Sequence, residues 1–214
     1  MRLRIAPDSR RDVLSIECRL DGDPKLKLYA LLAPHLGATG YGNTAAVAVY
    51  RGRRVLWAEQ GPFGLALAAV DEMQRDAITR SSAGYIDSDG WQDFARNGAM
   101  TWEYAKAGPG NVALMAELPR RLVLALGFGS SDDAAATLAI VSLLQRFDIV
   151  LQEHMALWQN WHAENRASCG AARCAARAGR PMPRLHRRAA QPPRQDLSRR
   201  DGRESERAVG RYRQ

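Results

Sequence analysis

Two short blocks of the chain hold the side chains best suited to contact a polar ligand. GYGN contributes Tyr41 and Asn43, and DGWQD contributes Trp91 and Asp93. The flat aromatic faces of Tyr41 and Trp91 suit the C–H surfaces of sugars, and the amide and carboxylate beside them offer hydrogen bonds. We therefore predict that these four residues contact a carbohydrate or a neighbouring domain.

The second block also permits a metal-binding or a purely structural interpretation. Asp87, Asp89 and Asp93 surround Gly90-Trp91, and DSDG resembles the opening of a calcium loop. The glutamate that completes a calcium loop is missing, because position 98 is glycine. Aspartate and glycine also supply the hydrogen bonds of turns, and a tryptophan beside them can fill a core. The sequence favours a turn that takes part in an inter-domain contact, with a sugar contact as the alternative, and it predicts no metal site.

Three glutamates on predicted strands are the candidates for acid–base chemistry: Glu59, Glu103 and Glu117. Glycoside hydrolysis needs two carboxylates that flank the scissile bond. Nothing in the spacing of these three pairs them, and strand carboxylates usually face solvent. We predict no catalytic residue in this chain. His154 and His162 lack the motif of a metal-binding histidine pair and are predicted to face solvent on a helix.

A glycine-rich loop, GATGYGN at 37–43, could be mistaken for a nucleotide-binding loop. It has neither a following helical pattern nor the Lys-Ser/Thr pair that holds phosphates. We predict no cofactor. The start of the chain leads directly into a strand pattern, so no signal peptide is predicted, and no apolar run is long enough to span a membrane. The localisation stays open.

Charge divides the chain near residue 165. Residues 166–214 hold 14 Arg, no Lys and 4 acidic residues, a net charge of +10, so the +8 of the whole chain leaves −2 for residues 1–165. This tail has too few large apolar residues to form a core, and we predict that 165–214 is disordered. Its single aromatic residue, Tyr212, argues against a stacking surface for nucleic acid.

Alternating apolar residues predict an all-β body that ends at residue 129. The predicted strands are 12–20, 26–32, 45–50, 53–59, 64–70, 100–105, 111–118 and 121–128, with loops at 37–43 and 81–93. After Gly129 the apolar period changes to three or four residues, and Ser130 or Ser131 is a good N-cap. We predict a long amphipathic helix there, or two helices joined end to end.

Five blocks of residues 5–162 carry a family resemblance in their order and spacing: LYALLAPHLG (28–37), GYGNTA (40–45), DGWQDF (89–94), TWEYAKAGPGNVAL (101–114) and LALGFG (124–129). They resemble the N-terminal domain of bacterial glucoamylases and glucodextranases, glycoside hydrolase family 15. The resemblance implies a large galactose-mutarotase-like β-sandwich, followed by a helical linker. An (α/α)6 barrel then hydrolyses α-glucosidic bonds with inversion, using two glutamates.

The resemblance implies that this chain carries only part of such an enzyme. We expect a mainly β fold, with a partial sandwich over 1–129, a linker helix over 130–164 and the tail over 165–214. Met1 falls in the middle of the family's sandwich, and the barrel with both catalytic glutamates lies outside the chain. The expected role is non-catalytic support of the (α/α)6 domain, with α-glucan as substrate of the parent enzyme. The alternative is a stand-alone module that binds glucan through Tyr41 and Trp91, or nucleic acid through the tail.

The composition of the tail suggests a shifted reading frame. Codons for residues 195–200, read one nucleotide later, permit Lys-Thr-Phe-Pro-Gly-Gly, and the reading continues with Thr-Val-Ala-Ser-Leu-Ser-Val-Pro-Trp-Gly-Asp-Thr-Asp. That text resembles the segment through which the family enters its barrel. Our hypothesis is a frameshift near residues 163–168.

Overall fold

The computed structural model describes residues 1–86 and 90–177, with side chains described as far as residue 165. It divides into two units, Met1–Trp158 and Gln159–Gln214. In the second unit, residues 159–177 are helical, and Asn165 Nδ2 donates a hydrogen bond to the Trp161 carbonyl oxygen at 2.9 Å. All that follows on the fold concerns the first unit, apart from the continuation of its last helix.

Ten strands, three α-helices and one short 3-10 helix form within the described residues. The strands are β1 (Arg2–Pro7), β2 (Val13–Arg19), β3 (Leu28–Leu32), β4 (Asn43–Tyr50), β5 (Arg53–Gln60), β6 (Phe63–Val70), β7 (Arg80–Tyr85), β8 (Lys106–Gly110), β9 (Val112–Leu118) and β10 (Arg121–Gly129). The helices are α1 (Gly90–Asn97), α2 (Asp132–Leu143) and α3 (Phe147–Arg177), and the 3-10 helix is Leu36–Ala38.

The strands form two antiparallel sheets. Sheet A has the order β1-β2-β10-β6-β5-β4-β8, and sheet B has the order β3-β9-β7. Leu56 and Leu67 of sheet A share one apolar core with Val112 and Leu114 of sheet B. The predicted mainly β fold, a sandwich followed by helix, is confirmed.

Two segments of the sequence prediction are wrong. The predicted loop 81–93 holds β7 and α1, and the predicted strand 100–105 is irregular chain that precedes β8. Strand β7 lacks an alternating pattern because it is buried on both faces: Ser81, Ser82 and Ala83 all lie inside. Small side chains fit such a position, but they carry no period that sequence reasoning can detect.

The predicted helical region consists of two helices, which is the second of the two forms expected. Ser131 is the N-cap of α2, and its Oγ accepts a hydrogen bond from the Ala134 amide at 3.2 Å. Helix α2 is not amphipathic, because it is built largely from alanine and other small or apolar residues and is mostly buried. Helix α3 continues to Arg177, beyond the expected boundary at 164. The predicted disorder and the frameshift hypothesis concern a tail that, from 178 to 214, lies outside the described residues.

Helix α2 lies directly against the backbone of sheet A at three glycines. A β-carbon at Gly64 of β6 would overlap the Ser131 carbonyl oxygen, and one at Gly127 of β10 would overlap the Ala135 carbonyl oxygen. A β-carbon at Gly129 would crowd the Ala135 amide. Helix and strand backbones can approach this closely only where no side chain intervenes. We call Gly64, Gly127 and Gly129 the glycine seat.

One flank of the sandwich is open. Leu3 and Ile5 of β1 face Cys18 and Ile16 across the strand pair, on the side of sheet A that carries the shared core. They are nevertheless 47% and 54% exposed. Strands β1 and β3 are also the outer strands of their sheets among the described residues. The sandwich therefore presents unpaired backbone edges and uncovered apolar side chains on the same side.

The glycine seat predicts that Gly127→Ala lowers the free energy of unfolding by at least about 2 kcal/mol, because α2 or β10 must shift to admit the new methyl group. Gly52→Ala is the control. Gly52 has a positive φ of 78° but no heavy atom within 4 Å of an added β-carbon, so it should cost only about 1 kcal/mol of backbone strain. Urea denaturation measures both. Equal losses of unfolding free energy in the two variants would contradict the close contact between α2 and the glycine seat.

The open flank predicts self-association of the isolated chain through β1 and its neighbours. Ile5→Lys should shift the chain towards monomer in sedimentation velocity, because a lysine on the uncovered face penalises stacking against a second chain. Val49→Lys is the matched control, since Val49 is an apolar residue of β4 that is 73% exposed. A wild-type chain that is a monodisperse monomer with a cooperative thermal transition would refute this prediction.

Candidate functional site around Trp91 and Asp93

Helix α1 packs against the outer face of sheet B and holds two of the four predicted contact residues. The Phe94 ring meets the Tyr29 ring of β3 edge-on, with centroids 4.6 Å apart. This contact fixes the side of α1 that faces the sheet. Trp91, one helical turn earlier, is 62% exposed.

Asp93 is the hydrogen-bonding centre of this region. Its side chain is buried, with 1% of the residue exposed. It accepts hydrogen bonds from the Thr101 amide at 2.6 Å, the Trp102 amide at 2.8 Å and Asn97 Nδ2 at 2.8 Å, and a further one from the Thr101 hydroxyl. The carboxylate therefore ties the segment after α1 back onto the helix.

The environment of Asp93 keeps its carboxylate charged. Burial alone would raise the pKa of Asp93, but the hydrogen bonds from Thr101, Trp102 and Asn97 outweigh burial and hold that pKa well below its ordinary value. All of these donors belong to the protein itself, so the carboxylate has a structural part in the site. Of the predicted aspartate cluster, Asp87 and Asp89 lie outside the described residues.

A pocket of about 410 Å³ opens beside Trp91 on the outer face of sheet B. Two cross-strand pairs of β7 and β9 contribute to its lining, Gly84 with Ala113 and Ser82 with Met115. Leu31 of β3 and Trp91 of α1 also line it. We call this cavity the Trp91 pocket. Sequence reasoning identified only Trp91 among its residues, although the small residues of SSAG at 81–84 were a signal that something packs closely there.

The other predicted block, GYGN, lies where the chain enters β4. Asn43 is fully buried; its Oδ1 accepts from the Leu36 amide at 3.2 Å, and its Nδ2 donates to the Thr39 carbonyl oxygen at 3.1 Å. Tyr41 is 76% exposed, and its carbonyl oxygen accepts from Gln60 Nε2 at 3.1 Å. The four predicted residues thus fall into two classes: Asn43 and Asp93 are buried and organise their segments, whereas Tyr41 and Trp91 present aromatic rings to solvent.

Comparison with known proteins assigns the chain to a family. A family model described as glucodextranase, domain N, matches residues 1–163. The chain belongs to the glucodextranase N-domain family. The crystal structure of a bacterial glucoamylase complexed with acarbose is similar in fold, with a TM-score of 0.66 and 25% sequence identity. The match covers 73% of this chain and 24% of the glucoamylase chain. No curated protein matches the chain.

The three glutamates considered for acid–base chemistry have different surroundings in the structure. Glu103 forms an ion pair with Arg80 at 2.7 Å, and Glu117 forms one with Lys27 at 3.2 Å. Glu59 lies in the middle of sheet A, opposite Gly64 of β6. Two of the three are therefore engaged with cations.

Neither a metal site nor a membrane span is evident among the described residues. The part of the N domain that the structure describes contains no group of three or more His, Cys, Asp or Glu side chains that could hold a metal ion. No single described helix is both long and apolar enough to cross a membrane; Asp132–Leu143 and Phe147–Asn165 reach the required length and composition only when taken together.

The Asp93 centre predicts a pH-dependent loss of stability. The pKa of Asp93 is lower in the folded protein than in the unfolded chain, so its contribution is complete above about pH 4 and declines as the pH falls below that value. Asp93→Asn should therefore lower the free energy of unfolding by roughly 1–3 kcal/mol at pH 7, because an amide nitrogen cannot accept the donors that face it. The difference in the free energy of unfolding between Asp93→Asn and the wild type should become smaller in acid.

Asp12→Asn is the control for this experiment, because Asp12 is exposed. It should change the stability little at either pH. Chemical denaturation at pH 7 and near pH 3 measures both variants. A destabilisation by Asp93→Asn that stays constant across this range would show that its charge has no part in the effect.

Proposed function

We propose that the chain serves as part of the non-catalytic N-terminal domain of a glucoamylase-like enzyme that hydrolyses α-glucans. The observation that carries this proposal is the family match over residues 1–163, which covers the sandwich, α2 and the start of α3. The fold similarity to a bacterial glucoamylase supports it. In this role the chain supplies a scaffold, and the (α/α)6 domain of the parent enzyme binds and cleaves the glucan.

The open flank supports a role within a larger protein. Leu3 and Ile5 lie uncovered on the core side of sheet A, next to the free edge of β1. A further strand paired to the free edge of β3 would extend sheet B over this face and bury both side chains. We assign such strands to the parent domain, because strands that extended sheet B would continue the same sandwich.

Helix α3 supports the second half of the role, which is to lead into the catalytic domain. It is anchored to the sandwich by Phe147 and Val150, which pack with Ala6 of β1. Arg10 adds an ion pair with Glu153 at 2.7 Å. Several large apolar side chains of the helix remain 43–50% exposed: Ile149, Met155, Leu157 and Trp158. We assign this exposed set to contact with the (α/α)6 domain.

The gene tests the proposal directly. Resequencing the coding region and reading it beyond codon 214 in all frames should show a segment that encodes an α-helical barrel with a pair of glutamates. A verified stop codon with no such segment in any frame would contradict the proposal. The stand-alone nucleic-acid-binding alternative depends on the arginine-rich tail, most of which lies outside the described residues.

The proposed scaffold role predicts that the purified chain releases no glucose from maltose, starch or dextran above a buffer control. Inverting hydrolysis needs an acid and a base about 6.5–9.5 Å apart across a sugar-sized pocket, and Glu103 and Glu117 are instead paired with Arg80 and Lys27. A coupled glucose assay measures the release. Turnover that survives repurification and falls when Glu59, Glu103 or Glu117 is changed to Gln would refute the scaffold role.

A further inference from the structure

We propose that the Trp91 pocket is a binding site for one sugar ring of a neutral glucan. The choice of glucan over other neutral sugars rests on the proposed function. The choice of a neutral ring with one apolar face rests on four features of the pocket. These are an exposed aromatic side chain on an anchored helix, a concave floor, the absence of charge among its described residues, and a sheet backbone that is already paired.

The aromatic side chain is exposed on a helix that is itself held in place. Phe94 packs against Tyr29 on one side of α1, and Asp93 ties α1 to the Thr101 and Trp102 amides. Both anchors lie within one turn of Trp91, whose residue surface is nevertheless 62% exposed. Because the backbone of α1 is already fixed, only the side-chain torsions of Trp91 lose conformational freedom on binding. The indole therefore meets the main requirement of a stacking platform.

The floor of the pocket is concave because small residues lie beneath it. Gly84 and Ala113 form a cross-strand pair without bulky side chains, and Gly90 begins α1 against Met115. A β-carbon at Gly90 would overlap the Met115 sulfur. The resulting volume of about 410 Å³ lies in the range of small-ligand sites, roughly 300–1,000 Å³. It accommodates a ring that stands against the indole.

The described part of the lining offers no partner to a charged ligand. None of the described residues that line the pocket carries a charge at neutral pH. An anionic or cationic ligand would lose hydration there without gaining a partner among them. A pyranose ring can place its C–H face on apolar surface and keep its hydroxyl groups at the open mouth in water. Ser82 Oγ accepts the Tyr104 amide at 3.0 Å and keeps its own proton for donation.

A peptide segment fits the lining less well than a sugar. The strands beneath the pocket, β7 and β9, are paired with each other, and the outer edge of β7 is bonded to Tyr104 through Ala83. A peptide lying over them would find few free donors or acceptors for the amide and carbonyl groups of its own backbone. A sugar ring has no such backbone, and its hydroxyl groups remain exchangeable with water.

Indole ¹⁵N–¹H spectra of the full chain, titrated with maltotriose and separately with isomaltotriose, test this inference. Each of the five tryptophans gives its own indole signal. The Trp91 signal should shift and saturate at millimolar sugar, whereas the signals of Trp57 and Trp102 should stay in place. Methyl glucuronate, an anionic sugar, should bind at least about tenfold more weakly. No saturable shift of Trp91 with either trisaccharide overturns the inference.

Three variants locate the site. Trp91→Ala should weaken binding at least about tenfold, and Ala113→Leu should do the same by filling the floor while the indole remains. Phe63→Ala is the matched control, because Phe63 is also an exposed aromatic residue but lies on β6 of sheet A, and it should leave the affinity unchanged. Far-UV circular dichroism confirms that each variant is folded. Unchanged affinity in folded Trp91→Ala or Ala113→Leu also overturns the inference.

The outcomes separate this inference from the proposed function. A verified gene with a barrel segment, together with no binding at Trp91, leaves the scaffold role intact and removes the sugar site. It would instead favour contact of Trp91 with another part of the parent protein. A gene without any barrel segment, together with saturable binding lost in Trp91→Ala, removes the parent-enzyme role and leaves a glucan-binding module.

Discussion

The close approach of α2 to sheet A is the constraint on which the rest of this fold depends. Three glycines on β6 and β10 let the helix backbone rest on the strand backbones. Hydrogen bonds then fix the direction of the helix: Tyr50 meets Thr137 at 3.0 Å, and Ser142 donates to Asp8 at 2.8 Å. Because α3 follows α2 after a short break, the position of α3 on β1 depends on this seating. The glycine seat thus sets where the chain leaves the sandwich.

The two faces of sheet B have different organising principles. Its inner face contributes Val112 and Leu114 to an apolar core, where shape and apolar area decide the packing. Its outer face is covered only by α1 and the chain that Asp93 draws onto it, and a buried charge with several donors organises that layer. The charged centre specifies one path of the chain, because its donors must reach the carboxylate at hydrogen-bond distance. That specificity is what leaves Trp91 in a defined position at the surface.

The sequence predicted those elements whose side chains repeat with a clear period. Seven of the observed strands follow from alternating or continuous apolar residues, and capping chemistry placed the start of α2 at Ser130 or Ser131, of which Ser131 is the cap. Strand β7 could not be predicted, because its small residues are buried on both faces and show no alternation. At the candidate site, residue types indicated Tyr41, Asn43, Trp91 and Asp93, but burial decides their roles. Nothing local in the sequence shows that the side chains of Asn43 and Asp93 hydrogen-bond to neighbouring segments of the chain, or that Trp91 faces solvent.

The glycine seat also has a meaning at the level of the gene. Every glycine codon begins with two guanines, and any change at either of these positions encodes a residue with a β-carbon or a stop. At Gly64, Gly127 and Gly129 each such change sets a side chain against the backbone of α2. Only substitutions at the third base of these codons are therefore silent. Across related strains, the ratio of replacement to silent changes at these three codons records whether selection still acts on the folded sandwich.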